Sequence, residues 1–581
     1  MSFQSVLTIA DGNDGAKATL SDKGVLEQLT LFPDPVESVA PATLVSSTSY
    51  ALNNSTRRLL GAYYTPRSAA DYMADWTVRR DGELVLEPSF GDGIFLRSVA
   101  TAAAHKDFTG IRLRGVEIDQ QARARAIHDQ LITDDAVRCE DFLGISPFKV
   151  QAVIGNPPYV RLRQLGSDQQ ERALRAARVL LSQDMDPSGS LWMPFVLHAM
   201  RFLDNGGRLA LVLPYECTYV RYARPLWETL RANFGSLQVL RTHERLFPEL
   251  LQDVVILLAD DYGSRTDAVC YQAFERVDDL LNARPVVAED LSVDDLLRGK
   301  RVFIGALLGD ELRHLLNTRI ADMTVPAKKL VAFNIGYVTG DKTFFHPTDK
   351  DIRDYQIPSR SLRPTLTATR KLKHAGLWTS SPSASHEDKL FLPNVDSLTG
   401  GERRYVTLGE ERGVASRYKC RIRDPWFLVP GVRVPDVVLS VFSERPILLV
   451  NDAGRVASNS LLCGYRASDD ATSEEIAAAW YTSLTLLQCE LEVHALGGGV
   501  MVLVPREAGN VRLPKCVRAG EDHLRHLDKS LRLGRVAEAY QSGDRRVLIE
   551  QLGLSERDLE LVRHGIAVLE HWRTSARSSV R

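Results

Sequence analysis

Short apolar runs recur between residues 65 and 260, and most are followed by stretches whose apolar positions repeat every three to four residues. Leu84-Val85-Leu86-Glu87 predicts a short buried strand. It is broken by Pro88-Ser89-Phe90-Gly91-Asp92-Gly93, and an apolar helix opens at Ile94. Residues 113–117 predict a second strand, 121–131 a helix and 136–139 a third strand. Ala152-Val153-Ile154-Gly155 closes another strand and runs into Asn156-Pro157-Pro158-Tyr159. Next come an amphipathic helix over 193–203, with Asn205-Gly206-Gly207 as its C-cap turn, and a buried strand over 208–214. A helix over 225–234 and strands over 237–243 and 253–259 complete the series. Upstream, Thr65 and Pro66 read as N-cap and N1 of a helix through Tyr72, Met73 and Trp76. Strand, glycine turn and helix in repetition predict an α/β, Rossmann-like domain with its ligand at the carboxyl edge of a parallel sheet.

At Arg301 the pattern changes. Helical periodicity becomes rare, and glycines, aromatics and positive charge become frequent, which predicts a second, mixed α/β domain. Residues 521–581 read as charged amphipathic helix packing back on a domain, with a short turn over 552–556. Residues 1–50 are rich in Ser, Asp, Thr and Pro without periodicity, and read as a flexible N-terminal tail. The division expected is therefore 1–50, 51–300, 301–520 and 521–581.

Composition narrows the class. A chain of 581 residues exceeds one core. Its apolar runs fall short of the roughly 18 residues that a bilayer span needs, and no signal-peptide pattern is present, so a cytoplasmic protein without membrane contact is expected. Seven cysteines without paired spacing indicate neither a disulfide framework nor a zinc site, and no metal ligand set is read. The net charge of −2 argues against indiscriminate nucleic-acid binding. Between Pro326 and Pro435, however, 19 Lys+Arg stand against 11 Asp+Glu, a balance of +8 that leaves −10 elsewhere. That is the pattern of a dedicated polyanion-binding region, or of an uneven surface without a partner.

Candidate chemistry centres on Asn156-Pro157-Pro158-Tyr159. Two prolines forbid helix and hold the loop extended. The Asn156 side-chain carbonyl and the Pro157 backbone carbonyl can then accept both hydrogens of a planar amine, while Tyr159 stacks on its plane. A proline-rich turn with a buried tyrosine would look the same. Glu117 lies 24 positions after Gly93, near the spacing at which a carboxylate takes a ribose hydroxyl pair. Leu246-Phe247-Pro248 places an aromatic in a loop, either as a lid over the core or as the partner of Tyr159 in a clamp. Phe333 to Gly340, Arg370 to His374 and Tyr418 to Trp426 stand out in the basic region. Arg421, Arg423 and Trp426 mix planar cations with an aromatic, as phosphate and base contacts require, although a solvated basic strand is the alternative. Lys342 belongs to the same region. Gln28-Leu29-Thr30-Leu31-Phe32 resembles the short peptide by which bacterial DNA enzymes bind the replication sliding clamp, through Gln28, Leu29, Leu31 and Phe32; a staple onto the protein's own surface is the other reading.

In order, Tyr63-Tyr64-Thr65-Pro66, Glu87 to Gly93, Glu117-Ile118-Asp119, Asp141-Phe142, Asn156 to Tyr159 and Leu246-Phe247-Pro248 resemble the gamma-group adenine-N6 DNA methyltransferases of restriction–modification systems. The likeness is close over residues 61–260. It is looser beyond, where 335–340, 421–426 and 497–505 resemble the target-recognition half. It implies S-adenosyl-L-methionine as methyl donor. Tyr63 and Thr65, with Glu87, Pro88, Ser89, Gly91 and Gly93, would surround its methionine part. Glu117 would hold the ribose, and Asp141 the adenine amino group, with Ile118 and Phe142 packed on the ring. Asn156, Pro157, Tyr159 and Phe247 would serve the flipped target base. Lys342, Arg421, Arg423 and Trp426 would contact double-stranded DNA. A separate restriction endonuclease and a place on the bacterial nucleoid accompany that reading. The same tetrapeptide also serves methyltransferases of RNA or protein glutamine, which usually lack a long basic second half. A nuclease fused within residues 1–60 is disfavoured by length and polarity, and an idle DNA-binding relative by the intact Asn156 to Tyr159.

Overall fold

A computed structural model describes residues 65–247, 253–380, 388–496 and 499–574. Gln28, Leu29, Leu31, Phe32, Tyr63 and Pro248 lie outside these residues.

The first half is built on one nine-stranded sheet. Its strands are β1 Leu84–Glu87, β2 Arg112–Val116, β3 Val137–Arg138, β4 Val150–Gly155, β5 Leu203–Pro214, β6 Phe234–Thr242, β7 Val254–Tyr262, β8 Ala268–Phe274 and β9 Val287–Ser292. They lie in the order β3-β2-β1-β4-β5-β7-β6-β8-β9. β1 pairs in parallel with both β2 and β4, and β4 with β5. β7 enters antiparallel between β5 and β6. The chain leaves β1 toward β2 on one side and returns to β4 on the other, so the carboxyl ends of β1 and β4 frame a crevice. β8 and β9 extend the sheet beyond the last strand that the sequence pattern predicts.

Among the described residues, six helices flank it: α1 Arg67–Thr77, α2 Ile94–His105, α3 Gln120–His128, α4 Ser167–Arg178, α5 Trp192–Met200 and α6 Arg224–Asn233. α1 starts one residue later than the sequence predicts. Pro66 occupies the N-cap without a side-chain bond, and the Thr65 hydroxyl faces Asn156 instead. Asn205 to Gly207 form no helix cap. α5 ends at Met200, and β5 already pairs at Leu203, opposite Val150, before the register shifts ahead of Arg208. α1 and α2 cover one sheet face through Ala70, Met73, Phe95 and Val99, packed on Val85, Ala152 and Ile154. A buried ion pair closes the edge of this layer. Arg208 donates to the Thr77 carbonyl at 2.6 Å and binds Glu83, which in turn accepts from the Arg79 amide at 3.1 Å.

The second half carries a four-stranded sheet in the order Val331–Ile335, Leu461–Arg466, Val437–Ser440, Leu448–Val450. A three-stranded sheet joins Asp388–Phe391, Leu362–Leu366 and Val456–Ala457. Helices are commoner here than the periodicity predicts. Gly400–Glu411 and Ser473–Trp480 are each started by a Thr–Glu capping box, at Thr399/Glu402 and Thr472/Glu475. The last helix, Glu556–Thr574, packs on Ser483–Glu492 and ends against the first sheet, where the Arg241 guanidinium donates to the Trp572 carbonyl at 3.2 Å. Val153, Leu211 and Tyr271 of the first sheet share one continuous buried cluster with Val331, Leu439, Trp480 and Leu569. Among the described residues, no helix is long and apolar enough to cross a membrane.

Candidate active site

The loops that follow β1 and β4 meet because Gly155 has no side chain. A Cβ there would stand 3.2 Å from Pro88 Cδ. Ser89 Oγ donates to the Asn156 backbone carbonyl at 3.3 Å, and the Asn156 side-chain NH2 lies 3.5 Å from Thr65 Oγ1. Three stretches separated by up to 91 residues thus converge on one residue, Asn156. Tyr159 adds a contact that the sequence reading did not foresee. Its hydroxyl lies 2.7 Å from Asn156 Oδ1 and 3.1 Å from the Val212 carbonyl, so one phenolic proton is shared between two acceptors. Tyr159 therefore fixes which way the Asn156 amide points. Nδ2 faces Thr65, and Oδ1, an acceptor with two lone pairs, faces the Tyr159 hydroxyl.

The other side of the crevice gathers carboxylates. Glu87, at the end of β1, is 1% exposed. Burial, and then the charges of Asp92 and Glu117, raise its pKa well above the ordinary carboxylate range. Its Oε2 finds no hydrogen-bond partner among the described residues. Burial also raises the pKa of Glu117, opposed by amide bonds: Asp119 N–H to Oε1 at 2.9 Å and Gly91 N–H to Oε2 at 2.8 Å. Asp92 is raised by burial as well. Gly91 and Gly93 both take positive φ, +53° and +76°, which lets the loop turn tightly beneath these groups. Gly115 makes room for Phe90, whose Cδ1 would lie 2.9 Å from a Cβ there. Three carboxylates, one of them buried with an unused oxygen, make a place for a positively charged ligand.

Ile118 stands 54% exposed at the rim. Asp141 accepts from the Leu143 amide at 3.1 Å and pairs with Arg172 of α4 at 3.3 Å. Arg172 escaped the sequence reading because it lies 31 positions on, in an otherwise ordinary charged helix. Two aromatics turn inward, and the first corrects the expectation. Phe142 is not open to a ligand ring; it is buried among Phe195, His198 and Phe202, with centroids 5.2, 4.8 and 5.2 Å away. Phe247, read as a lid over the core or as a clamp partner of Tyr159, is 2% exposed and packs in the core under α1 and α2, as the first reading has it. Both follow apolar neighbours inward, because burying a phenyl ring outweighs holding it in water.

In the second half, residues 336–341 and 417–426 form one surface. Gly336 lies so close to the Ala457 and Ser458 carbonyls that no Cβ fits, and Gly340, at φ +92°, lies under Lys419 and Cys420. Arg423 faces inward and donates to the Val338 and Thr339 carbonyls at 2.7 and 2.8 Å. Trp426 packs on Phe344 at 5.1 Å and donates to Glu410 at 3.1 Å. These contacts brace the loop, and both side chains stay partly exposed. Lys342 and Arg421 remain exposed, and Tyr418 and Ile422 beside them are each 60% exposed.

Residues 48–224 match the family model "N-6 DNA Methylase", and residues 300–548 match the C-terminal domain of Type II methyltransferase M.Eco57I. The first part of the chain is thus similar to N-6 DNA methylases, and the second to the C-terminal domain of a Type II methyltransferase. Type II methyltransferase M.XamI of Xanthomonas campestris pv. amaranthicola is 24% identical over 410 residues, covering 66% of this chain and 72% of that one. Type II methyltransferase M.BstVI of Geobacillus stearothermophilus is 25% identical over 228 residues, 32% of this chain and 39% of that one. Alignment with the first curated relatives thus spans about two fifths of their length. The solved structure of the Type IIL restriction-modification enzyme MmeI in complex with DNA shares the fold. Its TM-score is 0.53 at 13% identity, over 90% of this chain and 80% of that one. The methylase model covers Thr65, Glu87, Glu117, Asp141 and Asn156, the residues that frame the crevice.

Proposed function

We propose that the chain is a site-specific DNA methyltransferase that methylates the N6 amino group of adenine in duplex DNA, as the modification activity of a restriction–modification system. The observation that carries this reading is the junction of Asn156 with the loop after β1. The side-chain amide meant for the acceptor lies 3.5 Å from Thr65 Oγ1, and Ser89 holds the backbone carbonyl of the same residue, beside the carboxylate crevice.

S-adenosylmethionine fits that crevice and would supply an electrophilic methyl group on a cationic sulfur. Its ammonium and sulfonium charges answer the clustered carboxylates, with Glu87 Oε2 the unused acceptor. Glu117 would take the ribose hydroxyls on lone pairs that Gly91 and Asp119 leave over. Asp141 and exposed Ile118 would hold the adenine end. The acceptor amine is a weak nucleophile because its lone pair is delocalised into the ring. Asn156 Oδ1 and the Pro157 carbonyl would accept its two hydrogens and return electron density to nitrogen. Holding that nitrogen in line supplies up to roughly 7–11 kcal/mol of the acceleration. An adenine within a duplex must be extruded to reach this site. Tyr159 would stack on it, a contact worth about 1–3 kcal/mol. The basic surface with Lys342 and Arg421 would bind the duplex. A separate nuclease, a nucleoid location and a clamp contact through residues 28–32 belong to the same proposal.

The test is incubation of purified protein with radiolabelled donor and duplex DNA, followed by sequencing that reports N6-methyladenine. Label at one recurring adenine context is expected. Label that appears only on RNA or on protein glutamine, with every duplex unmarked, replaces this reading with the alternative.

A further inference from the structure

β6 runs parallel to β4, three strand spacings away, so its carboxyl end lies roughly 14 Å along the same edge of the sheet. His243 follows β6, Glu275 follows β8, and His571 lies in the last turn of the C-terminal helix. One ligand-capable atom from each of the three lies within 4.8 Å of the others. His243 Nε2 is 3.0 Å from the His571 backbone carbonyl. A carbonyl oxygen only accepts, so Nε2 carries a proton, and in the neutral imidazole Nδ1 presents a lone pair. That lone pair lies 3.5 Å from Glu275 Oε2, and His571 Nε2 lies 3.1 Å from the same oxygen. Two acceptors therefore face each other across the cluster, an unfavourable pairing that a cation between them reverses. A backbone carbonyl on the far N–H is also how ligating imidazoles are held in orientation.

We propose that His243, Glu275 and His571 form a divalent transition-metal site of the zinc class that ties the end of the C-terminal helix to the first sheet. Two imidazoles and a carboxylate suit Zn2+, with water in the fourth position. The helix end is placed there independently of any ion. Arg573 forms a buried ion pair with Glu490 at 2.8 Å, and Arg241 holds the Trp572 carbonyl. The two imidazoles are stacked, with centroids 3.8 Å apart and planes 12° apart. An ion lying in both ring planes requires one ring to tilt, and His571, with 48% of its side chain exposed, has the room. The cysteine pattern in the sequence gave no hint of this site, because its ligands are 328 residues apart.

The experiment titrates full-length, tag-free protein, stripped with chelator, with Zn2+ by calorimetry and with Co2+ by visible absorption. The wild type is expected to bind one equivalent more than the His243→Gln/His571→Gln double variant. The Co2+ spectrum should be that of a four-coordinate ion, and Zn2+ should raise the unfolding midpoint of the wild type alone. Glu275→Gln should weaken Zn2+ by at least about 100-fold, beyond the effect of an outer-sphere change. Cysteines such as exposed Cys516 contribute equally to both proteins and cancel in the comparison. Equal Zn2+ uptake by wild type and double variant, or a wild-type midpoint that Zn2+ leaves unmoved, overturns the proposal. The wild-type measurements need no substitution, so a misfolded variant cannot obscure them.

Discussion

At the residue scale, two side chains divide the work of the crevice. Asn156 is the group that would meet the acceptor amine, and removing its amide leaves no side-chain oxygen in that place. Asn156→Ala is expected to lower methyl transfer by at least about 100-fold, as loss of one preorganised polar group does. Donor and DNA affinity should persist, and single-turnover transfer measured beside equilibrium binding separates the two. Tyr159 acts twice, through its ring and through the hydroxyl 2.7 Å from Asn156 Oδ1. Tyr159→Phe keeps the ring and frees the amide to flip, so the transfer rate should fall about tenfold with base extrusion intact. Tyr159→Ala should also dim the fluorescence of 2-aminopurine at the target position; an equal signal from both variants would mean that the ring does not stack. Glu87 gives the pH dependence. Its folded pKa is raised by burial and by neighbouring carboxylates, so the folded state favours the proton. The stability it contributes is present at and below the ordinary carboxylate range, and is lost as pH rises through the folded value. Glu87→Gln is expected to abolish that loss on the alkaline side in the donor-free protein, and to weaken donor binding about tenfold or more. Denaturant midpoints across pH, set beside donor calorimetry, read both effects.

At the element scale, the packing of α1 against the sheet sets the distance between Thr65 and Asn156. The Arg208–Glu83 pair fastens this corner: Arg208 belongs to β5 and donates both to the Glu83 carboxylate just before β1 and to the carbonyl of Thr77, the last residue of α1. A buried charge stripped of its partner costs about 3–5 kcal/mol. Glu83→Ala should destabilise the protein by that amount, seen as a lower midpoint in urea. Replacing both residues with apolar ones of like volume should recover most of it. Should Glu83→Ala unfold like wild type, the corner is not held by this pair.

For the whole molecule, one buried cluster runs from β4 and β5 into the second half and on to Leu569. The boundary near residue 300 is therefore a change of architecture without a break in the core. A fragment ending at 300 would expose Leu211, Tyr271 and their neighbours to water, and is expected to be insoluble or to lack a cooperative unfolding transition. A soluble, cooperatively unfolding fragment would show that the shared cluster is dispensable. The basic surface is anchored on a separate buried cluster that includes Tyr337, Phe344 and Cys420.

Local chemistry made part of this legible in the chain itself. The strands β1, β2, β4 and β5 and the turn at Gly91 and Gly93 announce themselves through apolar runs and glycine, because backbone geometry there depends on neighbours in sequence. So does the rigid bend at Pro157-Pro158, and with it the family likeness. The directions of side chains were another matter. Phe142 and Phe247 turn into the core, Arg423 and Trp426 turn into their own loop, and the Tyr159 hydroxyl reaches back to Val212. Each of these depends on residues brought close by the sheet order, and sequence spacing carries no record of it. The Arg208–Glu83 corner and the meeting of His243, Glu275 and His571 arise in the same way. They join positions 125 and 328 residues apart, and only a folded chain brings such groups within bonding distance.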